Sequence, residues 1–405
     1  MQTLKYGFEK PTFIWFLVAV VYSVLFWAVF RHQPMGEVET AAYQIVEQFS
    51  DSSFPPKIQL LREIPDWGHL AFYAIYGRFF SAVAGGVAEL RMVSLALILG
   101  ALFMFVRLGY HFTYRNRLSP VWISLALLTL AANPYMWMAA ATVHYAGLLL
   151  LVVFLAVYMF EKDNVQFSAV FLSFAALIDW HALLLAVAFV VTRVTGERSR
   201  LLRPERFIAF LLPFAVGVLP LLAWDGIVPA GIMRESWTAF QEKAPKIRID
   251  SLFYAMAMVA IYSLFYSWAW AIRARSRALV MGAIWAGVLI PVYFFFPIRF
   301  DYWAEMLGHN EVPLGLIDQG ALLVAGPYKN LLLFVPWLAG AFLFTQLLLM
   351  DLLDRSRWLR YFIVLFFMTR PFVAVAGDAQ FLIVVPFIML LSLSEALVGE
   401  EGKLA

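Results

Sequence analysis

Apolar residues run along this chain in long blocks separated by short polar connectors, which is the rhythm of helices that cross a bilayer. The first block, Phe13 to Phe30, follows Lys5 and Lys10 and leads into Arg31-His32-Gln33-Pro34 rather than a small-residue cleavage site. It therefore reads as a first span and not as a removable leader. The next, Met92 to Val106, ends in Arg107, Arg115 and Arg117. Ten more lie at about 119–133, 138–160, 165–178, 182–195, 207–223, 251–272, 278–297, 331–350, 360–373 and 379–397. The expected fold is an all-α polytopic membrane protein of about 12 transmembrane helices, within a range of 10–13, forming a single transmembrane domain over residues 1–405.

Between the first two blocks the pattern changes. From Thr40 onward, Ala41, Ala42, Ile45, Val46 and Phe49 recur at helical spacing, which predicts an amphipathic helix lying on the membrane, with Glu37 and Glu39 just before it or in its first turn. After Pro55-Pro56, a Pro65-Asp66-Trp67-Gly68 turn leads into a second apolar stretch, Trp67 to Ala84, interrupted by Arg78 and closed by Gly85-Gly86. If this stretch crossed the bilayer, Arg115 and Arg117 would fall on the wrong face, so it reads as a second surface helix. Residues 31–88 are thus expected to form a large first outer loop, with further outer loops at 224–250 and 298–330.

Charge fixes the orientation. With the N-terminus inside, the inner connectors and both termini carry 18 Lys and Arg, against 10 in the much longer outer loops. Of the 27 carboxylates, 17 fall on or beside the outer side. The polar chemistry is expected there, with both termini cytoplasmic. Cysteine is absent, which excludes disulfides and thiolate chemistry. No Gly-rich phosphate loop follows a strand, and a near-balanced charge gives no reason to expect nucleic acid.

Gly36-Glu37, Pro65-Asp66-Trp67-Gly68 and Leu90-Arg91 follow the first span in the order of a known pattern: an acidic opening of the first outer helix, a Pro/Gly turn into a second surface helix, and a Leu-Arg pair starting the next span. Asn133-Pro134-Tyr135-Met136-Trp137, Asp179-Trp180-His181 and Ala223-Trp224-Asp225-Gly226-Ile227-Val228-Pro229 continue it. In this layout, from about Phe13 to Pro386, the chain resembles the GT-C integral-membrane glycosyltransferases. The resemblance implies a GT-C-like fold, a polyprenyl- or dolichyl-phosphate sugar donor, and a glycan, lipid or protein acceptor. Family members usually open the first loop with Asp-Glu, the Asp serving as base or metal ligand; here Gly36 stands in its place.

Such a transfer needs a carboxylate near the acceptor hydroxyl and cations around the departing phosphate. Glu37 is the first candidate base, followed by Glu39 and Asp66. Arg299, Lys329, Arg91, Arg370 and Arg78 are the candidate phosphate ligands, each with the plainer alternative of a side chain reaching to head groups. His69, His144, Asp179, His181 and Asp378 are further candidates, set against capping for the two aspartates and an interhelical hydrogen bond for His144, placed about one turn inside the fourth span. A divalent cation, Mg or Mn, is compatible with these groups, although no metal-ligand spacing marks a site. Short loops point to a bacterial inner membrane. Two other classes stay open: a transporter or flippase, which needs a polar midplane route, and a non-catalytic assembly relative, which Gly36 favours.

Overall fold

A computed structural model describes residues 10–51, 70–83, 86–116, 120–196, 204–218, 249–262, 276–295, 316–349, 357–370 and 382–395. Among these every regular element is helical. The chain divides into two compact units, Met1–Trp237 and Thr238–Ala405.

In the first unit, α1 (Pro11–Leu25) starts with Pro at its first turn, where the missing N–H costs nothing, and runs into a π-helical turn, Phe26–Phe30. Ile14, Val18, Tyr22 and Phe26, spaced by four, form its buried stripe. Tyr22 donates to the Ala131 carbonyl at 2.7 Å and stacks on Trp137 at 3.8 Å. Phe16, Val20, Val24 and Trp27 lie exposed on the other side, the surface that a lipid chain would cover. Helix α2 (Glu37–Asp51) packs on α3 (Leu70–Val83), and α3 packs on α4 (Val87–Asn116). The 30 residues of α4 span about 45 Å at 1.5 Å per residue.

The third expected span is α5 (Val121–Ala131), followed at a 63° bend by α6 (Pro134–Ala141). The bend has a local cause. Asn133 accepts the Tyr135 N–H at 2.9 Å and so starts a new helix, and Pro134 has no N–H to continue the old one. Then come α7 (Ala146–Glu161), α8 (Val165–Ala176), α9 (His181–Gly196) and α10 (Pro204–Gly217), each packed on its neighbour. Gly147 lets α7 approach α4 closely; a Cβ there would sit 3.1 Å from the Ile98 side chain and 3.3 Å from its backbone nitrogen.

The second unit holds α11 (Ile249–Tyr262), α12 (Ser276–Phe295), α13 (Leu316–Ala325), a single 3₁₀ turn, α14 (Lys329–Leu349), α15 (Arg357–Thr369) and α16 (Val385–Glu395). Its tightest seam joins α11 to α14, where Gly340 lies directly against the Met256 carbonyl. Helix α13 falls inside the stretch 298–330 that the hydropathy pattern assigns to a loop; its Asp318 and Gly320 dilute the apolar signal.

Among the described residues two stretches are long and apolar enough to cross a membrane, Pro11–Phe30 and Val87–Phe112, and the bent pair α5–α6 makes a third if it is one span. Six shorter apolar helices accompany them there. The protein is thus a helical membrane protein in its described parts.

Candidate functional site

The polar groups of the first unit sort to its two ends. At one end, the C-termini of α4 and α7 meet through His111 and Glu161, 3.3 Å apart. Close by, Asp163, in the left-handed turn between α7 and α8 (φ 62°), accepts from Arg193 of α9 at 2.6 Å. These groups serve one another.

The opposite end is built around Arg91, in the first turns of α4. Arg91 donates from Nε and Nη2 to the two oxygens of Glu39, at 2.7 and 2.6 Å, and from Nη1 to the carbonyls of Phe30 (3.0 Å) and Gln33 (2.8 Å). The π turn sets up this contact: the Arg31 N–H bonds back to Phe26, so the chain leaves α1 wide and turns the later carbonyls toward Arg91. Both side chains of the pair are almost fully buried, at 3% and 5% exposure. Glu39 stands in the first turn of α2, whose start is fixed by Gly36: its carbonyl accepts from both the Thr40 N–H and the Thr40 hydroxyl, each at 2.9 Å.

Glu39 Oε1 also accepts the Val143 N–H at 3.0 Å. That contact corrects the expected position of His144. The residue does not lie inside a continuous fourth span; it sits in a non-helical break, residues 142–145, between α6 and α7. Because the Val143 N–H is drawn to a carboxylate 104 residues away, the helix is interrupted there, and His144 Nδ1 accepts the Ala146 N–H at 3.1 Å as α7 begins. The His144 ring stacks on Tyr145 at 4.6 Å.

The turn between α8 and α9 lies at the same end. Asp179 Oδ1 accepts the His181 N–H at 2.8 Å, capping α9, and also meets His181 Nδ1 at 2.6 Å. The ring of Trp180 stacks on that of His181 at 4.0 Å. Both polar turns touch the start of α3: Ala71 donates to the Leu177 carbonyl at 3.3 Å, and the Phe72 ring lies 6.4 Å from that of Tyr145. One turn further along α3, Tyr76 shares a buried hydrogen bond of 2.8 Å with Ser94 of α4. Burial pushes the Tyr76 phenol well above its ordinary range, the bond to Ser94 opposing this, so the hydroxyl stays neutral.

No protein-family profile, curated protein or solved structure matches the chain.

Of the candidates, Glu39, Arg91, His144, Asp179 and His181 come to this one end. Arg78 lies exposed on α3. Arg370 belongs to the second unit, where it is fully buried with its guanidinium 4.1 Å from the Phe366 ring. Of Glu37 and Lys329 the structure describes the backbone, as the first residues of α2 and α14. Asp66, His69, Arg299 and Asp378 lie outside the described residues, as do the motifs at 65–68 and 223–229. Among the described residues no three His, Cys, Asp or Glu side chains converge as a metal site. Sequence reasoning missed the Val143 N–H and Tyr145; the only signal was Thr142-Val143, two β-branched residues that weaken a helix without ending it.

Chemically, the end combines a committed part and two polar turns. Glu39 and Arg91 are saturated with one another and with backbone groups, which makes them a clasp. His144 sits in the irregular break between α6 and α7, and His181 opens α9 against its Asp179 cap.

Proposed function

We propose that this chain is a membrane-embedded glycosyltransferase, moving a sugar from a polyprenyl-phosphate donor to a glycan, lipid or protein acceptor at the outer face of a bacterial inner membrane. The proposal includes about 12 spans and cytoplasmic termini. One observation carries it: the Arg91 end gathers Glu39, Arg91, His144, Asp179 and His181 around two breaks in the helices, the arrangement expected where a substrate is handled. The GT-C resemblance of the first outer loop supports the donor class.

Within this reading Glu39 and Arg91 hold the first outer helix in place. Glu37 is then the first-loop carboxylate available for the reaction, with Asp66 behind it. Phosphate binding passes to Arg299, Lys329, Arg370 or Arg78. The test is release of polyprenyl phosphate from a panel of hexosyl and pentosyl polyprenyl phosphates by the purified protein in proteoliposomes, with and without EDTA to detect dependence on Mg or Mn. One donor of the panel is consumed; consumption of none overturns the reading. Gly36 and the commitment of Glu39 favour a second reading, a non-catalytic assembly relative, which would bind polyprenyl phosphate and consume no donor.

A further inference from the structure

The exposed apolar side chains are unevenly placed. Among the described residues, eight large ones are 62% exposed or more, and seven of the eight belong to one end of the second unit. Phe294 and Phe295 close α12, Leu323 and Val324 close α13, Tyr328 stands in the 3₁₀ turn, and Leu331 and Val335 lie in the first two turns of α14. The Phe294 ring lies 6.1 Å from that of Phe334 on α14, and α13 packs on α14, so the three elements share this end. Gly326 makes the turn between α13 and α14 at φ 51°, a conformation that favours glycine.

For α12 and α14 the exposure has a plain cause. Val280, Ile284 and Val288 recur at every fourth position of α12, and Leu331 and Val335 repeat that spacing on α14, stripes that meet acyl chains in a helical membrane protein. Helix α13 joins the same surface at its tip, yet it is no further span. Its 10 residues measure about 15 Å at 1.5 Å per residue, half of the ~30 Å of hydrocarbon that a span must cross. Ala321 is buried in the unit, whereas Leu323 and Val324, next along the helix, are its two most exposed side chains. One face thus serves the protein and the other calls for an apolar medium, the division found in a helix that lies in a membrane interface. Tyr328 and Lys329, which follow at the turn, are residue types that settle at head-group level.

We propose that α13 and the turn after it form a membrane-interface anchor, in which Leu323 and Val324 are seated among the acyl chains of one leaflet and Tyr328 lies at the level of the head groups. The partner of this end is lipid. A protein partner would have to cover the tip of α13 while sitting within the lipid that the stripes of α12 and α14 already meet. The stretch 298–330, a loop by its hydropathy, therefore re-enters the bilayer before α14 begins. The inference concerns placement alone and is independent of both readings of the function.

The test uses the full chain, which has no cysteine of its own. Leu323→Cys and Val324→Cys, each labelled with a nitrobenzoxadiazole fluorophore, are reconstituted in phosphatidylcholine vesicles with iodide on both sides. A parallel set uses phosphatidylcholine brominated either near the head group or near the chain ends. Val288→Cys on α12 reports contact with acyl chains, and Lys162→Cys, exposed beyond the end of α7, reports water. Both α13 labels are expected to lose emission in brominated lipid, as Val288→Cys does. The loss is larger with bromine near the head group, because an interfacial helix is buried only about 5–10 Å into the boundary. Loss to iodide alone, as for Lys162→Cys, puts the tip of α13 in water and overturns the proposal. Loss to neither quencher puts it under protein, the first unit or a second copy, and overturns it equally. Stronger loss with bromine at the chain ends marks a deeply inserted helix and overturns the interfacial placement. No donor and no turnover enter the measurement, so its outcome is separate from that of the release assay.

Discussion

Arg91 grips Glu39 with two parallel hydrogen bonds, at 2.7 and 2.6 Å, joining α4 to α2 across 52 residues of sequence. With both groups buried, removing one partner strands the other charge. Glu39→Ala is expected to cost about 3–5 kcal/mol, read as a lowered midpoint of thermal unfolding in nanodiscs. The double variant Glu39→Leu with Arg91→Met recovers part of this and not all, because the Phe30 and Gln33 carbonyls and the Val143 N–H still lose their partners. Full additivity of the two single changes would show that the pair does not couple.

Gly36 is open to substitution: a Cβ there meets nothing within 4 Å. Gly36→Asp, which restores the acidic pair of the resembling family, is expected to raise stability by a few tenths of a kcal/mol, since Asp caps a helix slightly better than Gly. Under the proposed function, polyprenyl phosphate release should stay within about threefold of wild type, because Glu37 still supplies the first-loop carboxylate. A tenfold gain would move the role of base from Glu37 to position 36.

Two glycines of the second unit are expected to behave in opposite ways. At Gly340 a Cβ would run into the Met256 carbonyl oxygen, and a backbone atom cannot swing aside, so Gly340→Ala forces α11 and α14 apart at a cost of about 1–3 kcal/mol. Gly287 of α12 has nothing within 4 Å, and Gly287→Ala should be neutral or stabilising by up to ~1 kcal/mol, from helix propensity alone. Paired melting curves in one detergent check the contrast.

Because the chain has no cysteine, single cysteines report on topology without background. His32→Cys, exposed just after the π turn at the Arg91 end, is expected to react with a membrane-impermeant maleimide added to intact cells. Lys162→Cys, exposed at the opposite end of the unit, should react only after permeabilisation. Labelling of both from one side would overturn the orientation drawn from the Lys and Arg distribution.

Where the sequence pattern succeeds, a local cause is visible. Pro11, Asn133-Pro134 and Asn164 start helices by capping and by missing N–H groups, which neighbours in sequence decide. The helix beginning at Glu37 follows from spacing alone. The failures share a different cause, contacts between distant segments. His144 leaves its helix because Glu39 captures the Val143 N–H, and no window of residues around 143 contains that carboxylate. The partnership of Arg91 was equally hidden, since an arginine at a span end looks the same whether it meets a phosphate, a head group or a buried glutamate. Asp179 and His181 were visible as an interruption in apolar helix; that one Asp179 oxygen both caps α9 and meets the His181 ring was not, because that depends on geometry within one turn.

The π turn at Phe26–Phe30 holds one residue more than an α-helical turn accommodates. Deleting a single residue there, Ala28 for instance, would let the first helix continue unbroken and rotate everything after it by about a third of a revolution. The Phe30 and Gln33 carbonyls would swing off the guanidinium, and α2 would lose its anchorage although no charged residue had been touched. The register of one apolar helix thus governs how the whole Arg91 end is seated.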